Sequence, residues 1–349
     1  MSVLTWTVGR RAVLTPHGQK LHWREHKVVL AWILAVGALD AVLMTLSGLS
    51  LAPWPALGRI AVAALLMLGA AVYGLSGRSL RISATLLATA ELLLFMFFGV
   101  MLSYLAIRAG MPFVDDRLAS WDQALGFDWR AYHQMFAEYP WLVGATGILY
   151  TTSVAQIGLM ILMLGFCGRL AHLVDFVAGL MITGFVTVTL GALLPALGAH
   201  HHFGVPDNGV AFFVTDIVDA HSGALQVLDV SRAQGLVVFP SYHTIISLMI
   251  IFAAWPLRYV RYPALAINIA LIAGVPIWGS HYLVDIIAAT AISAATLLAW
   301  RLLWRGRRML DEIAVPAATG TGENPLPAPG LAWQRPLARE VASISTISR

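Results

Sequence analysis

Two histidines and one aspartate stand at the starts of two apolar segments. The stretch FPSYHT carries His243, and GSHYLVD carries His281 and Asp285. His281 and Asp285 are four residues apart, so on a helix they would share one face and could touch. An imidazole oriented by a carboxylate through one nitrogen can act as a nucleophile or base through the other. With His243 as a separate acid or base, the set suits attack on phosphorus: one histidine takes the phosphoryl group, and the other protonates the leaving oxygen.

The segments that carry these residues belong to a strongly apolar chain. Of 349 residues, 59% are hydrophobic and 11% are charged, and the mean hydropathy is +0.77. Soluble domains average about 45–50% apolar and about 25% charged residues. The composition therefore predicts a polytopic membrane protein. Cys167 is the one cysteine in the sequence, which excludes an intramolecular disulfide and a cysteine metal cluster.

Eight hydrophobic segments predict an all-α membrane helix bundle with about eight transmembrane helices. A span needs about 20 apolar residues, and the sixth and seventh segments are short. The segments are Val28–Leu49, Leu57–Leu75, Ile82–Ile107, Trp141–Phe166, Leu173–Leu194, Ser241–Leu257, Pro263–Trp278 and His281–Trp304.

The same pattern divides the chain into five parts. Residues 1–27 form a basic tail without a signal-peptide pattern, and residues 305–349 form a polar tail that we expect to be disordered. The parts between them are the N-terminal spans (28–107), an outer interfacial loop (108–140) and a catalytic transmembrane core (141–304). In the outer loop, aromatic residues mixed with acids predict a helix at the headgroup level.

Positive charge predicts the orientation in the membrane. With the N-terminus in the cytoplasm, lysines and arginines near the spans number fourteen on that side and five on the other. Both termini are then cytoplasmic, and His243 and His281 lie at the outer ends of their helices. We expect a cell inner or plasma membrane protein with a periplasmic or extracellular site. The sequence pI of about 9.4 does not indicate nucleic acid, since the basic residues are spread among the hydrophobic segments.

PSYH followed by HYLVD resembles the motifs of the phosphatidic acid phosphatase type 2 superfamily. Within it, the chain looks most similar to bacterial members of the inositolphosphotransferase branch, relatives of inositol phosphorylceramide and sphingomyelin synthases. The stretch DDRLASWDQALGFDW, Asp115 to Trp129, adds to that likeness. The resemblance implies a six-helix core, with His281 as nucleophile, Asp285 orienting it and His243 as general acid.

The resemblance also shows what this chain lacks. Phosphatases of the superfamily carry K-x6-RP and a Ser-Arg pair seven and six residues before the nucleophile. This chain has no K-x6-RP, and Gly274 and Val275 occupy the two positions of that pair. Without this cationic clamp, we expect a substrate with fewer negative charges, such as a phosphodiester. The resemblance implies a lipid phosphotransferase or phosphatase that needs no metal or other cofactor, with water or an alcohol as acceptor.

Further residues are candidates for substrate contact. Arg232 is either a replacement phosphate clamp or an exposed charge, since guanidinium suits a tetrahedral anion. Ser241 is able to cap the sixth segment after Pro240 and to touch phosphate. Adjacent residues do not easily share one metal ion, so the histidine triplet has three readings: metal ligands, headgroup contacts or a solvated loop. The triplet is His200, His201 and His202.

Tyr242 and Tyr282 are interpreted as interfacial aromatics, and Asp40 and Glu91 as buried acids within apolar segments. Such acids face the interior of a bundle. They leave open a rival function as a lipid transporter or scramblase. A second rival is a catalytically inactive relative that only keeps the fold.

Overall fold

A computed structural model describes residues 16–206 and 213–314 of the chain. The chain divides into two compact units, Met1–Trp300 and Arg301–Arg349. His243, His281 and Asp285 all lie in the first unit.

The described residues form thirteen helices and one two-stranded parallel ladder. The helices before the first long loop are α1 (Pro16–Ser47), α2 (Pro53–Leu75) and α3 (Leu80–Ile107). Those that follow up to the second long loop are α4 (Asp115–Ala124), α5 (Trp129–Ala137), α6 (Pro140–Thr151), α7 (Ser153–Phe166) and α8 (Leu170–Leu193). The remainder are α9 (Ala199–Phe203), α10 (Phe213–Ser222), α11 (Tyr242–Ala254), α12 (Arg261–Trp278) and α13 (Leu283–Ala314). The strands are β1 (Ser50–Leu51) and β2 (Val227–Leu228), with Ser50 opposite Val227.

Prolines and capping side chains set several of the helix starts. Pro53 and Pro140 occupy the first turns of α2 and α6, where a missing N–H costs nothing. The Asp128 carboxylate accepts the N–H of Ala131 at the start of α5. Ser241 is the N-cap of α11, as the sequence predicts, and its hydroxyl accepts the N–H of Thr244. Pro240 precedes this cap, and the helix begins at Tyr242.

The prediction of an all-α membrane helix bundle is confirmed. Six helices are long and apolar enough to cross a membrane, and a seventh span results if α6 and α7, bent by 52° at their junction, are counted as one. The remaining predicted segment, Ser241–Leu257, forms the short apolar helix α11, Tyr242–Ala254. The chain is therefore a multi-pass membrane protein.

Two groups of buried apolar side chains hold the bundle together. One lies between α3, α7, α8 and α11 and includes Leu164, Leu180 and Ile245. The other joins the end of α3 to the loops and includes Trp129 and Tyr282. The loops that precede α4 and α11 thus pack as a second core on one end of the bundle. One of the two interior acids has a partner: the His26 ring bonds the Glu91 carboxyl at 2.8 Å, with both side chains 1% exposed. Both carboxyl oxygens of Asp40 are buried and have no hydrogen-bond partner among the described residues.

Candidate active site

His281 and Asp285 meet through the start of α13. Nδ1 of His281 lies 3.0 Å from Oδ2 of Asp285, which also accepts the backbone N–H of Tyr282 at 2.9 Å. Since α13 begins at Leu283, Asp285 is its third residue and bonds back to the N-cap backbone, as in a capping box. The predicted contact is present, but its geometry is different. His281 lies just before the helix, so the two residues do not share a helical face.

The imidazole of His281 is held in one tautomer and one charge state. A carboxylate beside Nδ1 accepts a hydrogen bond from a proton on that nitrogen, which leaves the lone pair on Nε2. The ring is 3% exposed, and this burial lowers the pKa of His281 to about 4, although the Val238 backbone carbonyl opposes the shift. The ring is therefore neutral near pH 7. A neutral imidazole with a free Nε2 is the form that can attack an electrophile.

His243 lies at the second position of α11, whose start is beside the segment that carries His281 and Asp285. Burial lowers the pKa of His243 to about 3, and the neighbouring His281 adds to this shift, so a bound anion must raise this pKa before His243 holds the proton that an acid donates. The Tyr150 ring stacks on the His243 ring, with centroids 3.9 Å apart and planes 21° from parallel. The structure thus brings together all three residues of the predicted catalytic set, and it adds Tyr150, a residue of α6 that the sequence did not single out.

Gly279 allows this close approach. A Cβ atom on Gly279 would collide with Cδ2 of His281, and it would lie 2.9 Å from both His281 Nε2 and the Tyr150 hydroxyl. These two functional atoms therefore face the same small space beside Gly279. A side chain in this position would fill that space.

Trp278 fixes α6 against the end of α12 next to this space. Its indole N–H lies 3.2 Å from both the Val143 carbonyl and the Thr146 hydroxyl. A Cβ atom on Gly147 would overlap the Trp278 ring, so a glycine is needed for the contact. Tyr150 follows Gly147 by nearly one helical turn, which places its ring over the site.

Two aspartates of α4 hold the His281 loop in place. The Asp122 carboxylate accepts the N–H groups of Leu283 and Val284 at 2.8 and 2.9 Å. The Asp115 carboxylate accepts the Tyr282 hydroxyl at 2.9 Å and the N–H of Gly198. Asp122 is 2% exposed, and burial raises its pKa while the two backbone N–H groups oppose that shift. The acidic residues of the outer loop, which the sequence suggests lie at the headgroup level, therefore bond the loop that carries His281.

Tyr282 is not an interfacial aromatic. It is fully buried, and its hydroxyl bonds Asp115. Tyr242 is half-buried, and its hydroxyl donates a hydrogen bond to the Leu180 carbonyl. Both tyrosines join distant segments of the chain through these hydrogen bonds. Their positions next to the sequence motifs do not predict such contacts.

The histidine triplet is split between different surroundings. His200 is buried with its ring edge on Trp129, and its backbone N–H donates to the Ser280 hydroxyl next to His281. His201 is exposed. His202 is half-buried, 3.6 Å from the Asp116 carboxylate. In the described residues no three His, Cys, Asp or Glu side chains are grouped as metal ligands, so the triplet does not converge on one point.

The other predicted substrate contacts occupy less direct positions. Ser241 is buried as the cap of α11, and its N–H bonds the Asp285 carbonyl at 3.3 Å, which joins the two catalytic segments. Arg232 is exposed and interacts with the Asp229 charge. Gly274 packs against Thr146, and Val275 is fully buried in α12. No cation stands at either of these two positions.

A family model described as PAP2 superfamily matches residues 116–299, more than half of the chain. The match includes the α4 aspartate Asp122 and all three residues of the catalytic set. No curated protein and no solved structure matches the chain. The extent of the family match is enough to assign the chain: it belongs to the PAP2 superfamily.

Proposed function

We propose that the chain is a lipid phosphotransferase or phosphatase that works through a bond between His281 and phosphorus. The superfamily comprises membrane phosphatases and phosphotransferases, which gives the broad class. The observation that carries the specific proposal is the pair formed by His281 and Asp285. It leaves Nε2 of a buried, neutral imidazole facing the space beside Gly279.

The reaction divides into two balanced steps. Nε2 of His281 attacks phosphorus, a P–N bond forms, and the P–O bond to the leaving group breaks as His243 gives that oxygen its proton. An acceptor hydroxyl then attacks the same phosphorus, its proton passes to His243, and the P–N bond breaks. Asp285 stabilises the imidazolium that forms in the first step, because its charge lies 3.0 Å from Nδ1.

A lipid phosphodiester fits this chain better than a phosphomonoester. Gly274 and Val275 provide no charge where other superfamily members have a Ser-Arg pair, and a diester carries one negative charge where a monoester carries up to two. The preference for a diester favours a function like that of the inositolphosphotransferases, in which an alcohol replaces water as acceptor. Such an acceptor must be held in place to compete with water. Arg232, Ser241, His200, His201 and His202 remain predicted substrate contacts.

The proposed location is a cell inner or plasma membrane with the site on the outer face. The support is the charge distribution, in which basic residues collect at the ends of the helices away from His281. For example, Arg78 and Arg81 lie at the start of α3, where Arg81 donates to the Phe166 carbonyl at 3.2 Å. His281 lies near the opposite end of the same bundle.

A lipid panel tests the proposal. Purified full-length protein is incubated with phosphatidic acid, phosphatidylinositol and other phospholipids, with and without inositol or ceramide, and the products are identified by mass. We expect cleavage of at least one phosphodiester, with transfer to an alcohol when one is present. Release to water at every alcohol concentration would make the chain a phosphatase. No turnover of any lipid would contradict the proposed function and favour a transporter or an inactive relative.

A further inference from the structure

Tyr150 contacts the His243 ring and approaches the His281 ring, but it takes no part in the two proposed steps. Its ring lies flat on the His243 ring at 3.9 Å. Its hydroxyl and Nε2 of His281 lie at equal distances of 2.9 Å from the Cβ position of Gly279. The tyrosine thus lies between the proposed acid and the proposed nucleophile.

The Tyr150 hydroxyl also lacks a partner. No hydrogen bond joins it to another described residue, within 16–206 or 213–314. The other tyrosines around the site are fully engaged: Tyr282 bonds Asp115, Tyr242 bonds Leu180, and Tyr132 bonds the Ala273 carbonyl. A half-buried hydroxyl left without a partner beside a nucleophile is available to a ligand.

The charged residues around the site indicate which ligand group the Tyr150 hydroxyl would bind. Three carboxylates contact Tyr282 and the residue after it, those of Asp115, Asp122 and Asp285, whereas the two positions of the usual cationic pair hold Gly274 and Val275. A nonbridging phosphoryl oxygen needs a hydrogen-bond donor when negative charge builds on it. A phenol supplies a donor without adding a charge, which suits a singly charged diester.

We propose that the phosphoryl group binds in the space beside Gly279, and that the Tyr150 hydroxyl donates a hydrogen bond to one of its nonbridging oxygens. This inference rests on the proposed function. Tyr150 transfers no proton: it keeps its O–H bond while the P–N bond forms and the leaving oxygen takes its proton from His243. The stacked ring also holds His243 in a fixed plane, so one side chain contacts the phosphoryl group and positions the acid.

The first test separates the hydroxyl from the ring. Tyr150→Phe keeps the stack on His243 and loses only the donor. We expect kcat to fall about 10²-fold or more, as when one oxyanion donor is removed, with little change in KM. Tyr139→Phe is the matched control, because Tyr139 is the exposed residue just before the same helix, and it should retain wild-type kcat. A Tyr150→Phe enzyme with wild-type kcat would overturn the inference.

A phosphorothioate substrate tests the contact itself. The probes are phosphatidylinositol and its analogue with sulphur in place of one nonbridging oxygen, used as separate diastereomers. If the panel shows another preferred lipid, the same analogue of that lipid is used. Sulphur accepts a hydrogen bond poorly, so wild type should be slowed by one diastereomer, and Tyr150→Phe should lose most of that difference. If Tyr150→Phe discriminates between oxygen and sulphur as strongly as wild type does, for both diastereomers, the proposed contact is wrong. A purely structural role of Tyr150 would give that result.

Gly279→Ala tests the location of the space. The added methyl group meets His281 and the Tyr150 hydroxyl, so turnover should fall below a tenth of wild type while the protein still folds. Gly144→Ala on α6 is the control, because its added Cβ meets no atom within 4 Å. A fully active Gly279→Ala enzyme would exclude this space as the phosphoryl site. A wild-type chain that converts no lipid would instead contradict the proposed function.

Discussion

At the scale of single residues, the chemistry depends on the carboxylate that holds one imidazole. Asp285 is fully buried and bonds both the His281 ring and the Tyr282 backbone. We expect His281→Ala, His243→Ala and Asp285→Asn each to lower turnover about 10²-fold or more, because each removes a nucleophile, an acid or the group that fixes a tautomer. His281→Ala should be the most severe. Steady-state assays on variants with wild-type circular dichroism measure this, and full activity of His281→Ala would exclude the mechanism.

The proposed steps use only side chains, which gives a second prediction at this scale. Proton transfer and attack are both assigned to histidines, so turnover should continue in excess EDTA. The measurement is the rate of lipid conversion before and after dialysis against the chelator, with EDTA-treated buffers throughout. Loss of activity that returns when a divalent ion is added would revive the metal interpretation of His200, His201 and His202.

At the scale of elements, α4 supports the start of α13. Asp122→Ala would leave the partly buried N–H groups of Leu283 and Val284 without their acceptor, at a cost of about 1 kcal/mol each, the low end of the range for unsatisfied groups. We expect a lower apparent melting temperature in detergent and a lower kcat, because the His281 loop loses its anchor.

Asp128→Ala is the matched control for this anchor. Asp128 caps the neighbouring helix α5 through the N–H of Ala131, and its side chain is exposed. Its removal should cost about 1 kcal/mol of stability and leave turnover unchanged. Equal effects of both substitutions on turnover would mean that Asp122 has no special role in positioning His281.

Local contacts were predictable from the sequence, whereas contacts between distant segments were not. The pairing of His281 with Asp285 and the cap at Ser241 follow from residues within four positions of each other. The contacts of Asp122 with Leu283 span 161 residues, and an aspartate in a polar loop gives no sign of its partner. Tyr150 looks like any aromatic in an apolar segment, since only the packing of α6 on α12 brings it to His243.

At the scale of the whole molecule, the bundle has a basic end and an end that carries the site. On a Cys167→Ser background, which removes the one native cysteine, we expect Ser222→Cys to react with a membrane-impermeant thiol reagent in intact cells. Arg78→Cys should react only after the cells are permeabilised. Both positions are exposed, so accessibility to the reagent reports the side of the membrane. The reverse labelling pattern would place the site in the cytoplasm.

The proposed mechanism requires a covalent bond between His281 and phosphorus, which can be trapped during turnover. Enzyme is mixed briefly with a substrate lipid labelled with ³²P at its phosphorus, quenched in base and digested, and the labelled peptide is sequenced. A phosphoramidate on histidine is stable in base and labile in acid, so we predict label on the peptide that contains His281, lost on acid treatment and absent from His281→Ala. If the enzyme turns over the lipid but carries no label on His281 at any reaction time, water or the alcohol attacks phosphorus directly and the account is wrong.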